Sequence, residues 1–310
     1  MRCELDHPVE KHNYRHLNIP AGYLRIAITT DCGMQCSYCH NEGQTGNKST
    51  FLSIDQLRDI VTNALPYGLV KVRLTGGEPL LHPDCHQMLR MLKKELKIPF
   101  VGFNTTGILL DRLLPIVADR LLDSIVVGID YVDGEVSKDS SVGLSSKTIL
   151  ENILKLKKLD QDVSIACVYD GDCARLEKLA DWCLRHNVIL KILEVSDKTI
   201  NTKISEEFTS MIKHILDRFD MQLGEIKTYS EYYGLIDNKP RIYFFHSHCR
   251  LRECDICARI HLRVTSDGYI KSCILHDVKY PLLSDNFDDN MLKVIHNLGR
   301  TPEDYTCTSP

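Results

Sequence analysis

The stretch YLRIAITTDCGMQCSYCHNEG, residues 23–43, decides how the rest of the chain is interpreted. A strand-like apolar run, residues 24–29, leads into three cysteines in a C-x3-C-x2-C arrangement: Cys32, Cys36 and Cys39. Iron–sulfur clusters prefer thiolate ligands, and three thiolates from one loop can hold three irons of a [4Fe–4S] cube. The fourth iron is then open to another molecule. The alternatives are a zinc site, which usually takes four ligands in paired short spacings, or three ordinary buried cysteines.

Composition narrows the class of protein. The chain has 310 residues, 43% apolar and 26% charged, which is enough for one large α/β domain with an appendage. A net charge of −4 gives no basic field for nucleic acid, and no apolar run approaches the roughly 20 residues of a membrane helix. The polar N-terminus lacks the apolar core of a signal peptide, so we expect a cytoplasmic protein. Thirteen cysteines in a reducing compartment favour metal binding by the clustered ones.

Strand-like and helical patterns alternate along the first two thirds of the chain. The β-rich runs are residues 24–29, 71–74, 100–104, 124–130, 163–169 and 188–195. A capping box at Ser53 and Gln56 opens the first helix, and an apolar stripe along residues 208–219 marks the last. Six strand–helix units predict an α/β fold with a parallel sheet that falls short of a closed eight-unit barrel. The functional site should lie at the carboxyl ends of the strands.

The second strand runs into a glycine-rich loop, RLTGGEP, residues 73–79. Its Gly76 and Gly77 would let backbone groups approach a ligand closely. Glu78 either belongs to that site or is a helix N-terminal charge. The loops after the third and fourth strands also carry polar residues, namely Asn104, Thr105 and Asp130. For the last of these, a helix cap is as good an explanation as a ligand contact.

The cysteine motif, with the aromatic Tyr38 before its last cysteine, and the GGEP loop one strand–helix unit later resemble the radical S-adenosylmethionine (SAM) enzymes. The resemblance implies a partial (β/α)6 barrel in which the open iron of the cluster binds SAM. Reduction then yields a 5′-deoxyadenosyl radical that takes hydrogen from a substrate, with a flavodoxin- or ferredoxin-type protein as electron donor. The cofactor contacts that it implies are Tyr38, Gly76, Gly77, Glu78, Asn104, Thr105, Gly128 and Asp130.

The tail of the chain has a different character. A turn signal, Ser266-Asp-Gly268, lies between two strand-like runs and predicts a hairpin. The hairpin would carry Cys273 back toward the C-x2-C pair formed by Cys254 and Cys257. Together with Cys249, these cysteines form either a zinc site or, as we expect, a second, auxiliary [4Fe–4S] cluster.

These patterns divide the chain into three regions. Residues 1–20 are an N-terminal extension, residues 21–225 the barrel, and residues 226–310 the C-terminal auxiliary-cluster region. Polar and turn residues between positions 228 and 240 predict a break in regular structure.

The segments YLRIAITTDC, RLTGGEPLL and the tail motif are similar to the GTP 3′,8-cyclase (MoaA-like) branch, which serves molybdenum-cofactor biosynthesis. This resemblance covers nearly the whole chain. It implies an auxiliary cluster whose open iron helps to hold GTP, and arginines whose planar forks bind phosphate. The matching substrate contacts are Arg25, Arg73, His261 and Arg263, the histidine standing where the family has an arginine. Each arginine could instead form a structural salt bridge.

Other positions depart from that branch. Cys249 offers the auxiliary cluster a fourth ligand, which would leave no open iron. Ser164 and Ser196 stand where the family has a lysine and a methionine, and Gly128 stands where it has a serine. The last residues read CTSP, without the two glycines that the family needs for catalysis. We therefore expect a relative with a different substrate, or a divergent nucleotide enzyme.

Three functions stay open. The first is a radical SAM enzyme that acts on a nucleotide, nucleoside or other phosphorylated small molecule in cofactor or natural-product biosynthesis. The second is a peptide-modifying radical SAM enzyme, because Cys257, Gly268 and Cys273 fit the related tail signature C-x9–15-G-x4-C. Against it, only about 20 residues precede the first strand to grip a leader peptide. The third is a non-catalytic iron–sulfur or zinc-binding protein, against which the intact cysteine triad and GGEP loop argue.

Overall fold

Six parallel strands, adjacent in chain order, form the centre of the sheet. They are β1 (Tyr23–Ala27), β2 (Lys71–Thr75), β3 (Phe100–Thr105), β4 (Ser124–Gly128), β5 (Val163–Tyr169) and β6 (Ile189–Glu194). The computed structural model describes residues 19–34, 36–44, 49–132, 146–195, 202–226, 231–247, 260–275, 277–296 and 298. Parallel pairing of each strand with the next confirms the predicted partial (β/α)6 barrel.

Helices return the chain between successive strands and cover one face of the sheet. They are α1 (Ile54–Ala64), α2 (Cys85–Arg90), α3 (Leu113–Ala118), α4 (Ser146–Lys158), α5 (Cys173–Arg185) and α6 (Thr202–Arg218). The predicted capping box begins α1, where Ser53 Oγ accepts from the Gln56 amide at 3.1 Å and Gln56 Oε1 accepts from the Ser53 amide at 2.8 Å. A π-helical turn, Met91–Glu95, extends α2. Short 3-10 turns occupy Pro20–Gly22, Asn41–Gly43, Leu65–Tyr67, Pro79–Leu81 and Leu110–Arg112.

The two faces of the central strands differ in chemistry because strand side chains alternate between them. On the helix-covered face, β1 contributes Leu24 and Ile26, both fully buried. The stripe on α6 packs into the same core, with Phe208 and Ile215 fully buried. The opposite, inner face carries polar side chains such as Arg25 of β1. The polar side chains of the strands therefore lie on the inner face of the barrel. The apolar core lies between the other face of the sheet and the helices that cover it.

The tail adds strands to both edges of this sheet. Next to β6 lies β9 (Lys239–Phe245), which is parallel to it, followed by antiparallel β8 (Glu231–Ile236) and β7 (Gln222–Ile226). Next to β1 lies β10 (Leu262–Val264), parallel to it, followed by antiparallel β11 (Tyr269–Lys271) and β12 (Tyr280–Pro281). A helix, α7 (Phe287–His296), follows β12 in the chain.

The hairpin predicted around Ser266-Asp-Gly268 is confirmed as β10–β11. The Gly268 amide donates to the Thr265 carbonyl at 2.9 Å, and Gly268 has a φ of +80°, which glycine adopts without strain. The expected break between residues 228 and 240 is wrong in part, because β8 lies there. Asp237 and Asn238, both with positive φ, turn β8 into β9. The predicted limit between barrel and tail, residue 225, falls within β7, and the division into regions stays a prediction.

A helix that crosses a membrane must be both long and apolar. Within the parts of the chain that the structure describes, no helix combines the length and apolarity that a bilayer crossing requires.

Candidate active site

The cysteine loop leaves β1 at the carboxyl end of the barrel. Cys32 and Cys39 are exposed and Cys36 is half-buried, and a turn joins the Cys39 amide to the Cys36 carbonyl at 3.0 Å. Burial, reinforced by the negative charges of Asp130, Cys39 and Cys32, raises the pKa of Cys36 to about 11. Burial also raises the pKa of Cys32, with a contribution from Cys39. Negative charge on the neighbouring cysteines thus contributes to the raised pKa of both Cys32 and Cys36, and a bound cation would offset it.

The chemistry of this donor set suits an iron–sulfur cube. Iron–sulfur clusters prefer thiolate ligands, and the three thiolates of Cys32, Cys36 and Cys39 can each bind a different iron of one cube. The choice between this cluster and the zinc alternative at the same three cysteines stays a prediction.

The GGEP loop packs directly against the chain that leads into the cysteine loop. The Gly77 amide donates to the Thr29 carbonyl at 2.9 Å, and the Glu78 amide donates to the Asp31 carbonyl at 2.6 Å. A Cβ atom on Gly77 would lie 2.1 Å from the Asp31 carbonyl oxygen, and one on Gly76 would lie 2.3 Å from that of Thr29. Both glycines are thus needed for this close approach of two backbones.

The side chain of Glu78 turns away from solvent and fastens this loop to the end of β3. It is 1% exposed. Its Oε1 accepts from the Leu80 amide at 3.0 Å, and its Oε2 accepts from the Thr106 amide at 2.7 Å and from the Thr105 hydroxyl at 2.8 Å. The Thr106 hydroxyl adds a further bond at 2.6 Å. Glu78 therefore fixes the loop backbone beside the cavity, and its role toward the cofactor stays a prediction.

Tyr38, inside the cysteine loop, donates its hydroxyl hydrogen to Oδ2 of Asp130 at the end of β4. The other oxygen of Asp130 accepts from the Val168 amide of β5 at 3.1 Å. Arg175 of α5, 7% exposed, donates to the Asp130 carbonyl at 2.6 Å and to the Val168 carbonyl at 2.8 Å. Asp130 therefore ties the cysteine loop to the barrel, and its predicted contact with the cofactor stays a prediction.

A cavity of about 230 Å³ opens at the carboxyl ends of these strands. It brings together most of the predicted cofactor contacts, namely Tyr38, Gly77, Asn104, Thr105, Gly128 and Asp130. Cys36 and Met34 of the cysteine loop also line it. The cavity is thus bounded by one predicted cluster ligand and by the loops after four strands, as the sequence predicts.

Below this cavity, four basic residues stand at one level on four adjacent strands. We call this set the basic row. Arg25 of β1 is the register partner of Arg263 on β10 and of Arg73 on β2, and Arg263 is the partner of Lys271 on β11. Register partners project from the same face of a sheet, so these side chains line the inner face together. Lys71, two residues before Arg73, shares that face.

Within the described parts of the chain, the carboxylate of Glu42 forms ion pairs with two residues of the basic row. Glu42 binds Arg25 through Oε1, and Arg263 Nη1 donates to Oε2 at 2.6 Å. The Thr75 hydroxyl donates to Oε1 at 2.9 Å. Burial alone would raise the pKa of the Glu42 carboxyl, but the charges of Arg25 and Arg263 outweigh it and hold that pKa well below its usual range. Glu42 is therefore ionised, and it offsets one of the positive charges in the row.

Arg73 pairs with neutral oxygen atoms. It is 6% exposed, and its Nη1 donates to the Phe103 carbonyl and to Asn104 Oδ1, at 3.1 Å in each case. Gly102 on β3 makes this possible, because a Cβ atom there would lie 2.6 Å from Arg73 Cζ. The guanidinium thus lies across β3 with its charge uncompensated by these partners.

His261 lies beside the row without adding charge to it. Its ring centroid is 5.1 Å from that of Tyr23, and its buried Nδ1 has no hydrogen-bond partner among the residues that the structure describes. Burial, together with the charges of Arg263 and Arg25, holds the pKa of His261 well below its usual value. The ring is neutral near pH 7, so it does not replace the positive charge of the arginine that the related branch has there.

The tail cysteines are described only in part. Cys273 is half-buried in the segment that follows β11, and its sulfur accepts from the Leu275 amide at 3.3 Å. Cys249, Cys254 and Cys257 lie outside the described residues. The auxiliary cluster stays a prediction, as does the choice between three and four cysteine ligands.

Sequence patterns missed several residues of the site. Glu42 follows the last loop cysteine in a polar stretch without any periodicity, and nothing local marks it as the partner of two arginines. Arg175 is one of many helical basic residues. Lys271 could have been found, because the predicted turn at residues 266–268 already pairs position 271 with Arg263.

Comparison with known proteins gives the following relationships. The family model described as the Radical SAM superfamily matches residues 26–183. A probable GTP 3′,8-cyclase of Methanococcus aeolicus is 32% identical over an alignment that covers 82% of this chain and 85% of the relative. Another, from Methanococcus maripaludis strain C5, is 29% identical and covers 91% of this chain and 90% of the relative.

Solved structures share the fold at lower identity. Streptococcus suis SuiB bound to S-adenosylmethionine superimposes with a TM-score of 0.64 at 16% identity, covering 88% of this chain. This chain spans about 65% of the length of SuiB. The structure of anSMEcpe with bound AdoMet gives a TM-score of 0.61 at 14% identity, covering 86% of this chain and 83% of that one. At these identities the likeness concerns the fold alone.

Proposed function

This chain belongs to the radical SAM superfamily, and we propose that its substrate is an anionic small molecule of the nucleotide or phosphorylated type. The basic row carries this proposal. Arg25, Arg73, Arg263 and Lys271 stand in register on the inner face, with Lys71 beside them, and among the described residues Glu42 forms ion pairs with two of these arginines. Lined-up guanidinium groups favour phosphate, since each donates parallel charge-assisted hydrogen bonds.

We propose that Cys32, Cys36 and Cys39 hold a [4Fe–4S] cluster and that the cavity above the basic row takes SAM. When bound, the cluster and SAM supply a 5′-deoxyadenosyl radical that removes a hydrogen atom from the substrate. The chain positions these groups: Gly77 lines one side of the cavity, and Asn104, Thr105 and Gly128 line it as well. The cavity and the row lie on one face of one barrel, so a substrate whose phosphates occupy the row has its remaining part near the cavity.

The tail completes the proposed assembly. Cys254, Cys257 and Cys273, with Cys249 as a possible fourth ligand, would bind a second, auxiliary [4Fe–4S] cluster. A flavodoxin- or ferredoxin-type donor in the cytoplasm would provide the electron. The hairpin that leads to Cys273 contributes Arg263 and Lys271 to the basic row, so the substrate would lie between the two clusters.

The relatives support a nucleotide but leave its identity open. Two of them are described as probable GTP 3′,8-cyclases, and both cover most of this chain. Ser164 and Gly128, however, stand where that branch has a lysine and a serine, and His261 is neutral where it has an arginine. We therefore propose a cyclase-like reaction on GTP or on a related anionic compound in cofactor or natural-product biosynthesis.

The test is substrate-dependent cleavage of SAM. Reconstituted protein would be assayed anaerobically with dithionite for 5′-deoxyadenosine, alone, with GTP and other nucleotides, and with short peptides. We expect stimulation by a nucleotide, and a raised KM for that nucleotide in Arg73→Gln with unchanged iron content. Stimulation by peptides alone would instead favour a peptide-modifying enzyme. No cleavage by protein with a verified, reducible cluster would overturn the assignment of an enzyme.

A further inference from the structure

A left-handed turn of the backbone at residues 41–43 places the carboxylate of Glu42 in the basic row. Asn41, Glu42 and Gly43 have successive φ angles of +45°, +51° and +76°. Residues other than glycine rarely adopt this left-handed region. The Glu42 amide donates to His40 Nδ1 at 3.1 Å, which fixes the turn from within. Two non-glycine residues, Asn41 and Glu42, therefore have an unfavourable backbone conformation, and this conformation directs the Glu42 side chain toward the inner face.

The tail hairpin holds this turn from the other side. Lys271 Nζ donates to the Gly43 carbonyl at 2.6 Å, and the Ser266 amide donates to Gln44 Oε1 at 2.8 Å. A Cβ atom on Gly43 would lie 3.0 Å from the Ile274 backbone. The turn is thus enclosed between β1 and the hairpin, and Glu42 has little freedom to leave the row.

Both oxygens of Glu42 are engaged. Oε1 accepts from Arg25 and from Thr75, and Oε2 accepts from Arg263. The residue is 7% exposed. An internal carboxylate therefore already occupies hydrogen-bond donors of two of the three arginines that the sequence predicts as substrate contacts. Arg73 and Lys71, by contrast, are outside its hydrogen-bonding contacts, since Arg73 binds carbonyl and amide oxygens and Lys71 lies over the Tyr23 ring.

We propose that Glu42 is a specificity-determining residue that sets the minimum negative charge of the ligand. This inference rests on the proposed function, because it assumes that the basic row binds the substrate. A tethered carboxylate acts at an effective concentration on the order of millimolar or higher. A free carboxylate of the same charge gains nothing by competing with it, and a single phosphate gains little. A diphosphate or triphosphate also reaches Arg73 and Lys71, and its extra charge compensates for sharing Arg25 and Arg263 with Glu42.

The preferred substrate class is therefore a compound with a polyphosphate chain, such as a nucleoside diphosphate or triphosphate. Carboxylate ligands, including the C-terminus of a peptide, are rejected. Like charges brought together across a binding site are a recognised means of suppressing wrong ligands.

The test measures anion binding and does not depend on turnover. Orthophosphate, pyrophosphate and tripolyphosphate would be titrated into the full-length reconstituted protein by calorimetry, for the wild type and for Glu42→Gln. In the wild type we expect tripolyphosphate to bind at least about 100-fold more tightly than orthophosphate, since each 1.4 kcal/mol gives a factor of ten. In Glu42→Gln we expect orthophosphate to bind at least about tenfold more tightly than in the wild type.

Two further variants make the result interpretable. Glu95→Gln removes an exposed carboxylate that pairs with Arg58, and it should bind all three anions as the wild type does. Glu42→Asp keeps the negative charge and should still bind orthophosphate weakly. If Glu42→Gln does not fold, strong orthophosphate binding by Glu42→Asp would contradict the proposed role of the charge.

The outcomes separate the two proposals. Tripolyphosphate binding by the wild type with no gain of orthophosphate affinity in Glu42→Gln would overturn the role of Glu42 and leave the proposed function standing. Equal loss of all binding in Glu42→Gln, with the fold retained, would mean that Glu42 orients the arginines and would also overturn that role. No binding of any phosphate by the wild type would overturn the proposed anionic substrate, and the inference with it.

Discussion

Tyr38 and Asp130, 92 positions apart, are joined by a hydrogen bond from the tyrosine hydroxyl to the aspartate carboxylate. The bond links the cysteine loop to the end of β4. Asp130 is itself held by the Val168 amide of β5 and by Arg175 of α5. The predicted cluster loop is therefore anchored to two strands and one helix of the barrel through a single residue, whose carboxylate and backbone carbonyl both accept hydrogen bonds.

We expect this bond to control SAM binding, because it fixes the loop that would carry the cluster. Tyr38→Phe and Asp130→Asn should each weaken SAM affinity, and the double variant should be little worse than either. Residues that act through one shared bond show a coupling energy of about 1–2 kcal/mol in such a cycle. The measurement is calorimetric SAM binding by reconstituted protein of equal iron content. Additive losses would show that the two residues contact SAM independently.

The close approach of the GGEP loop to residues 29–31 makes a second prediction. Gly77→Ala would place a Cβ atom 2.1 Å from the Asp31 carbonyl oxygen, so one backbone has to move. We expect a loss of about 1–3 kcal/mol in the free energy of unfolding, as for other overpacked sites. Gly128→Ala is the matched control, because its Cβ would lie at an ordinary 3.7 Å from the Thr105 carbonyl oxygen. Equal urea midpoints for the two variants would contradict the close-approach account.

The third prediction concerns the hydrogen bonds of the buried Glu78 side chain. Both of its oxygens accept backbone amide hydrogens, from Leu80 and from Thr106. Glu78→Gln would turn an amide NH2 group toward one of these donors, and losing a hydrogen bond to a buried charged group costs about 1.5–3 kcal/mol. Urea unfolding should show this loss. Glu95→Gln makes the same chemical change in an exposed ion pair and should cost less than about 1 kcal/mol. A smaller effect at Glu78 than at Glu95 would be inconsistent with its role as a fastener of the loop.

The fourth prediction concerns the effect of His261 on how the stability of the folded protein depends on pH. Burial and the neighbouring arginines lower its pKa in the folded state from the ordinary value of 6.5. Below about pH 6.5 the unfolded chain therefore takes up a proton that the folded chain refuses, and stability falls as the pH decreases. The slope from this one group is at most about 1.4 kcal/mol per pH unit. His261→Gln should remove that component, so the stability difference between the two proteins should change below pH 6.5 and stay constant above pH 7. Parallel stability profiles would show that the histidine is freely protonated.

The framework of the fold was predictable because it depends on short-range periodicity. All six central strands, the capping box of α1 and the tail hairpin follow from local patterns. The strand β8 was missed because its sequence, EYYGLI, carries a glycine and a charge and looks like a turn region. Its place in the sheet is set by pairing with β9, which local sequence does not report.

The site was predictable only in its outline. The cysteine loop, the GGEP loop and the arginines are recognised by composition and spacing, and the structure places most of the predicted cofactor contacts around one cavity. The partners of these residues come from elsewhere in the chain. Glu42 meets Arg263 across 221 positions, and only the parallel pairing of β10 with β1 brings them together. Arg25 and Arg263, which the sequence predicts as substrate contacts, are therefore paired with a carboxylate that no sequence motif reveals.

The most direct test of the central claim is isotope transfer. Reconstituted protein would be incubated anaerobically with dithionite, SAM and nucleotides deuterated on the ribose, GTP first, and the 5′-deoxyadenosine analysed by mass spectrometry. We predict nucleotide-dependent formation of 5′-deoxyadenosine that contains deuterium. Slow cleavage that no nucleotide stimulates, with no deuterium in the product, would contradict a nucleotide substrate.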